Sequence, residues 1–133
     1  YAQYTNYTSE PEGFEHKSRV LAEHCAAVGT DYGAIVRSAN INAVVGSSES
    51  EVKDRLARVR SRVSAVAGEA ATDAMLGTMN TPQAGSGTPE QLVESLSALR
   101  NLGCEYVICY FPEAAYDRSG IELFEREVIP ALA

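Results

Sequence analysis

Hydrophobic positions along the chain fall into two rhythms, one helical and one alternating. Phe14, Leu21, Cys25 and Val28 lie at helical spacing and predict a helix from Pro11 to Val28, with Gly29 as its stop. Val52, Leu56, Val59, Val63 and Val66 follow one another at steps of 4, 3, 4 and 3. That narrow seam predicts a helix over Glu49–Ala67 facing a single partner surface and ended by Gly68. Leu92, Leu96 and Leu99 predict a third helix, from Pro89 to Leu102, stopped by Gly103. Ile121, Phe124, Val128 and Leu132 predict a fourth, from Gly120 to Leu132, with Pro130 tightening its last turn or ending it early. Four Ser/Thr-x-x-Glu/Gln pairs read as capping boxes: Ser9 with Glu12, Ser48 with Glu51, Thr88 with Gln91 and Ser119 with Glu122.

The alternating rhythm appears between these helices. Ile35–Val45, IVRSANINAVV, reads as one strand closed by Gly46, and Glu105–Phe111, EYVICYF, as another ended by Pro112. Tyr1–Tyr7, YAQYTNY, reads as a third, cut off at its start. Strands alternating with helices predict an α/β fold of parallel strands joined by crossover helices. Residues 69–87 break the rhythm, and the helix before them extends the excursion to residues 47–87. They read as an insertion between the middle strand and its return helix, with a short helix near Ala70–Met79 and a mobile loop at TPQAGSGTP. The chain opens on Tyr1 within an element, which reads as a piece of a larger protein.

Charge narrows the partners. Eleven Lys and Arg against 18 Asp and Glu give a net charge of −7, which argues against general binding to nucleic acid or to anionic membranes. Three cysteines, Cys25, Cys104 and Cys109, each among apolar neighbours, suit a reducing cytoplasm better than a disulfide framework. Lys53, Arg55, Arg58, Arg60 and Arg62 crowd the second helix. They could attract a phosphate or polycarboxylate, although a solvated helix face is the weightier reading. His16 and His24 have no paired carboxylate or thiolate at ligand spacing, so no metal site is expected. GSGTPEQ lacks the Lys of a phosphate loop and does not follow a strand, so Thr88 reads as a helix cap. No Ser–His–acid or Cys–His set is present that could act as a nucleophile.

Ligands of parallel α/β folds sit beyond the carboxyl ends of the strands. That selects Thr5–Thr8, Asn40–Ser47 and Cys109–Pro112. Asn40 and Asn42 share the face opposite Ile41 and Ala43, and two amides within an apolar sheet need partners. A ligand could supply these, as could inward side chains or water, and the internal network carries more weight. Tyr110 and Phe111 could wall a pocket for a flat ring, with core or rim packing as the default; Asn6 and Tyr7 carry a similar balance.

HKSRVLAEHCAAVGTDYGAIVRS and GTPEQLVESLSALRNLGCEYVICYFP resemble the C-terminal part of the luciferase-like monooxygenase superfamily, in the branch of oxidoreductases using coenzyme F420. The matching residues are His24, Cys25, Val28, Gly29, Asp31, Ile35, Arg37 and Ser38, then Gly87–Gln91, then Phe124 and Val128–Leu132 near the chain end. The resemblance implies a TIM (β/α)8 barrel, of which this chain would carry strands six to eight as one incomplete domain. It implies F420, or FMN as the alternative, acting in hydride transfer or monooxygenation of a small organic substrate. On it, Asn6, Tyr7, Asn40 and Asn42 are expected to meet the cofactor, and Thr5, Tyr110 and Phe111 the substrate. The catalytic residues are expected in strands this chain lacks, and the whole enzyme is expected to be a cytoplasmic homo-oligomer, a dimer by family habit. The competing reading is a non-catalytic α/β module that self-associates through open sheet edges. A stand-alone doubly wound domain would need a phosphate-binding strand–turn–helix, which is not seen.

Overall fold

The computed structural model describes residues 3–133. Three strands form one sheet in the order β1 (Tyr4–Thr8), β2 (Val36–Asn42), β5 (Tyr106–Tyr110), and both pairings are parallel. The expected strand at Tyr1–Tyr7 thus begins at Tyr4 and extends to Thr8; Tyr1 and Ala2 lie outside the described residues. Tyr4 to Thr8 stand opposite Val36 to Asn40, and Ser38 to Asn42 opposite Tyr106 to Tyr110.

The helices that return the chain between strands cover one face of this sheet. Helix α1 spans Pro11–Val28 and ends on Gly29 in the left-handed region, as its sequence signals predict. Helix α4 spans Pro89–Asn101, and at its start Thr88 and Gln91 form a complete capping box. The chain closes with α5 (Ser119–Leu123), a π-helical turn (Phe124–Val128) and α6 (Ile129–Leu132), which run on without a break. Phe14 of α1, Leu92, Leu96 and Leu99 of α4, and Leu123, Phe124 and Val128 of the last rod pack on Ala39, Ile41, Ala43 and Val45 as one core. Pro130 does not end the last helix. Its missing amide would leave one carbonyl unpaired, and the π turn just before it, with the Ile129 amide bonded to the Phe124 carbonyl, lets the helix continue.

The middle strand departs from its prediction. Instead of one run to Val45, the chain leaves β5 after Asn42 and forms β3 (Val44–Val45), which pairs in parallel with β4 (Ser86–Gly87). The hinge is the Ala43 amide, still bonded to the Tyr110 carbonyl, followed by the Val44 amide bonded to the Gly85 carbonyl. The expected mobile loop is therefore ordered: a 3-10 turn at Pro82–Ala84, then β4. Gly85 makes this possible. It sits at φ 107, and a Cβ there would meet the Asn42 carbonyl oxygen at 2.8 Å.

Between β3 and α4 stand α2 (Glu49–Ala67) and α3 (Glu69–Leu76). The seam of α2 holds only in part. Val52 and Val59 are buried, but Val66 is 91% exposed, because the last turn runs past the elements it packs on. Val28, at the end of α1, is likewise exposed. The other three expected capping boxes do not close. At Ser48 the hydroxyl caps the Glu51 amide, but the Glu51 carboxylate accepts from the Ser47 amide and hydroxyl instead of the Ser48 amide. Pro11 moves the start of α1 so that Glu10 is the cap residue and no side chain caps the helix. At Ser119 the cap comes from Asp117, whose carboxylate accepts from both the amide and the hydroxyl of Ser119.

The crowded basic face of α2 is not simply solvated. Arg55 is 4% exposed, and its guanidinium donates to Glu51, Glu113, Asp117 and Ser119 at 2.6–3.4 Å. Arg58 lies 3.7 Å from Glu113, and Arg62 stacks 4.1 Å from the centre of the Tyr116 ring. Positions 55, 58 and 62 share one side of a helix. That side grips the segment following β5.

Candidate functional site

The strand register sorts the expected site residues by face. On a strand, alternate side chains point to opposite sides. Ala39 and Ile41 point to the helices, so Thr5 and Tyr7, opposite Arg37 and Ala39, point there too. The Tyr7 ring stacks edge-on against Phe14 at 5.3 Å, and Lys17 stands over it at 5.9 Å. Phe111 packs into the core edge-on against Phe124, at 5.6 Å. Thr5, Tyr7 and Phe111 thus stand on the helix side of the sheet, and Tyr7 also lines the depression at the strand ends. Asn6, Asn40, Asn42 and Tyr110 stand on the other face, which no α-helix covers among the described residues, and Tyr110 is 53% exposed.

On that open face, beyond the carboxyl ends of β1 and β2, lies a depression of about 460 Å³. Asn6, Thr8, Asn40 and Asn42 form its floor, Ser9, Glu10 and Lys17 one rim, and Thr78, Met79, Thr81 and Ala84 the other. The second rim exists only because Gly85 and β4 fold residues 78–84 back over the sheet. The Ser38 hydroxyl donates to the Thr5 carbonyl at 2.6 Å and lies 3.1 Å from Asn6 Oδ1, which fixes the Asn6 amide. Asn40 Oδ1 is shut from water and has no hydrogen-bond partner. Sequence reasoning selected Asn6, Tyr7, Thr8, Asn40 and Asn42 by their place at the strand ends but did not point to Ser9, Glu10, Lys17 or the 78–84 rim. The rim carried no signal, since a Gly-, Ser- and Pro-rich stretch reads as a loop wherever it ends up.

A larger hollow, about 550 Å³, flanks β5 on the helix side, lined by Val107, Cys109, Phe111, Phe124, Ile129 and Leu132. It is mostly apolar and runs along the whole helix-side flank of β5, so it reads as the uncovered flank of an edge strand rather than a ligand site. Burial pushes the Cys109 thiol there up to about 11, which leaves it protonated and unreactive at neutral pH. Motif residues Asp31 and Arg37 have structural work. Asp31 accepts from the Gly33 amide, while Arg37 lies over the Tyr32 ring at 4.7 Å and pairs with Glu105 at 2.9 Å.

The depression can bind and orient a polar ligand. Its only ionisable side chains besides the ring of Tyr7 are Lys17 and Glu10, and among the described residues no cluster of three metal-ligating side chains forms. Among the described residues, no helix is long and apolar enough to cross a membrane.

No family model matches the chain, and no curated protein matches it. Solved structures do. The chain aligns over 98% of its length with the coenzyme F420-dependent tetrahydromethanopterin reductase of Methanopyrus kandleri, at 17% identity and a TM-score of 0.67, covering 45% of that protein. It aligns over 99% of its length with the long-chain alkane monooxygenase LadA at 12% identity and TM-score 0.69, covering 36% of it. The monooxygenase RslO1 of Streptomyces bottropensis gives 14% identity and TM-score 0.54, with 98% of this chain and 48% of that one covered. The chain thus spans less than half of each of these proteins. All three are members of the luciferase-like monooxygenase superfamily, and over that span the chain has their parallel α/β fold.

Proposed function

We propose that this chain is the strand-six-to-eight portion of a luciferase-like (β/α)8 barrel, and that the barrel is an oxidoreductase using coenzyme F420, with FMN as the alternative. Its reaction would be hydride transfer to or from, or oxygenation of, a small organic substrate. One observation carries this reading: three parallel strands whose outer edges are unpaired among the described residues, and whose carboxyl ends hold a depression floored by amides on the face that a closed barrel would turn inward. A complete barrel of this kind takes about 250 residues, which agrees with the share of the neighbouring structures that the chain covers. The cofactor would supply the redox chemistry when bound. This chain's part is to hold polar groups against the bound molecules: Asn6, Asn40 and Asn42 from the floor, Tyr110 from the end of β5. The three free cysteines suit a reducing cytoplasm, and we expect the whole enzyme to be a homodimer.

The test is titration of the protein carrying this chain with F420 and with FMN, following the ring absorbance. A saturable change with one of them is expected, and no change with either removes the assignment. The open edges also favour a second reading, a module that self-associates without cofactor. Sedimentation of the same samples separates the two, since this reading requires assembly that grows with concentration and ignores both cofactors.

A further inference from the structure

We propose that the segment Pro112–Ser119 is a strap across the carboxyl end of β5, latched to α2 by Arg55 and built to open as one unit while the sheet stays folded. The opening is read from the packing alone. The further step, that the strap gates a ligand's path, rests on the oxidoreductase reading.

The strap begins two residues after Tyr110, the last residue of β5, which looks onto the open face. Both of its ends are anchored. Phe111 packs edge-on against Phe124, and Gly120 is buried beside the Val45 carbonyl. Between the anchors, among the described residues, no side chain joins the apolar core. Pro112, Ala114, Ala115, Tyr116 and Arg118 are exposed, Tyr116 at 71%. The backbone bonds stay local: the Ala114 amide donates to the Phe111 carbonyl, and the Tyr116 and Asp117 amides to the Glu113 carbonyl. A segment with local backbone bonds and few apolar contacts lies at the low-stability end of a fold.

What holds the strap is polar and comes from one side of α2. Arg55 Nη1 donates to Glu113 at 3.3 Å and to Asp117 at 3.4 Å, and Nη2 donates to the Ser119 hydroxyl at 2.6 Å. Arg62 lies over the Tyr116 ring at 4.1 Å. Glu113 Oε1 is shut from water without a hydrogen-bond partner, with Arg58 3.7 Å away. A buried carboxylate oxygen left in that state regains hydration when it is released. Arg55 is not stranded by the release. Its Nε and Nη2 stay bonded to Glu51 on the same helix, at 3.0 and 2.7 Å. The latch therefore parts between an arginine that keeps one carboxylate and carboxylates that return to water. Parting it costs less than parting an apolar contact of the same extent, and a strap with two discrete positions needs that property.

The experiment is amide hydrogen exchange of the chain, read by NMR in urea kept below the unfolding transition. The Tyr116 and Asp117 amides should exchange together, about tenfold or more faster than those of β2, at rates that urea leaves unchanged, because opening the strap exposes little surface. Arg55→Met should speed both about a hundredfold, and Arg55→Lys, which keeps the charge, by less. Leu96→Ala, in the core under α4, should speed the β2 amides and leave Tyr116 and Asp117 at parental rates. Strap amides that share the urea dependence of β2, or that Leu96→Ala speeds in step with β2, overturn the proposal. So do strap rates that Arg55→Met leaves unchanged. The urea series on the parent and Leu96→Ala decide the matter alone if Arg55→Met does not fold. In the protein carrying this chain, Arg55→Met should also quicken release of bound F420 or FMN, followed by ring absorbance after dilution. Release at the parental rate beside fast strap exchange refutes the gate. Failure to bind either cofactor, with the strap opening as described, removes the oxidoreductase reading and leaves the strap standing.

Discussion

Replacing Arg55 with Met tests whether the arginine row of α2 holds the segment after β5 in place. Arg55 and Glu113 have side chains only 5% and 6% exposed, at 3.3 Å. Met keeps most of the aliphatic stem, so little packing is lost, but the guanidinium's own hydrogen bonds to Glu51, Glu113, Asp117 and Ser119 all go. Breaking a buried pair by removing one partner costs about 3–5 kcal/mol, because the remaining charge is left without compensation. Arg58, 3.7 Å from the other Glu113 oxygen, compensates in part, which sets the expectation at about 3 kcal/mol, the lower end of that range. The unfolding entropy of 133 residues is roughly 0.28 kcal/mol/K, so the midpoint should fall by about 10 °C.

The control lies on the same helix. Arg60 pairs with Glu69 and Asp73 at 2.7 Å, but all three side chains are well exposed. Arg60→Met should move the midpoint far less than Arg55→Met, because exposed pairs are screened by water. The chain has no Trp, so urea and thermal unfolding are best followed by far-ultraviolet circular dichroism. Adding Glu113→Leu to Arg55→Met should recover part of the loss, since an apolar pair can replace a buried ionic one at little cost. If Arg55→Met costs no more than Arg60→Met, the row is an ordinary surface feature and the reasoning is wrong.

Three further outcomes are expected. Gly85→Ala forces a side chain into the left-handed region and against the Asn42 carbonyl; it should cost about 2–3 kcal/mol in urea unfolding and expose the Val44 and Gly46 amides to hydrogen exchange, and a neutral result would mean that β4 does not pin the rim. Hydrogen bonds from Ser47, then from Arg55, hold the Glu51 carboxyl at about 2, below its ordinary 4.5. Its contribution is therefore complete above about pH 4.5 and lost as pH falls toward 2, so Glu51→Gln should flatten acid unfolding in that window, and an unchanged pH profile counts against the network. Cys109 in the folded chain should react with iodoacetamide at pH 8 about a hundredfold more slowly than an ordinary thiol, and rapid labelling read by mass spectrometry would contradict its burial.

What the sequence made legible was what is encoded locally. The bounds of α1 and α2 follow from Pro11, Gly29, Ser48 and Gly68, each acting within a turn of the helix end it marks. Parallel strands followed from the alternation of element types. The break at Ala43 did not, because it depends on a two-residue partner, Ser86–Gly87, with no period of its own. Nor did the role of Arg55, whose partners Glu113 and Asp117 are 58 and 62 residues away; a charge on a charged helix looks the same in sequence whether it is buried or not.

The site was half legible for a related reason. Being near a strand's carboxyl end selects residues of both parities, whereas the floor of the depression takes only one. Thr5 and Phe111 have the right position and stand on the helix side, while Tyr7 reaches the depression from that side. In β2 the apolar set Ala39, Ile41 and Ala43 declares which face is inside, and that one fact, carried through the register, assigns β1 and β5 as well. An edge strand such as Tyr4–Thr8 cannot declare its own face, since aromatic and hydroxylated side chains occupy both. Function at a parallel-strand site is therefore read most safely from the central strand outward. Here that strand offers two neutral amides and no charge to whatever lies above it.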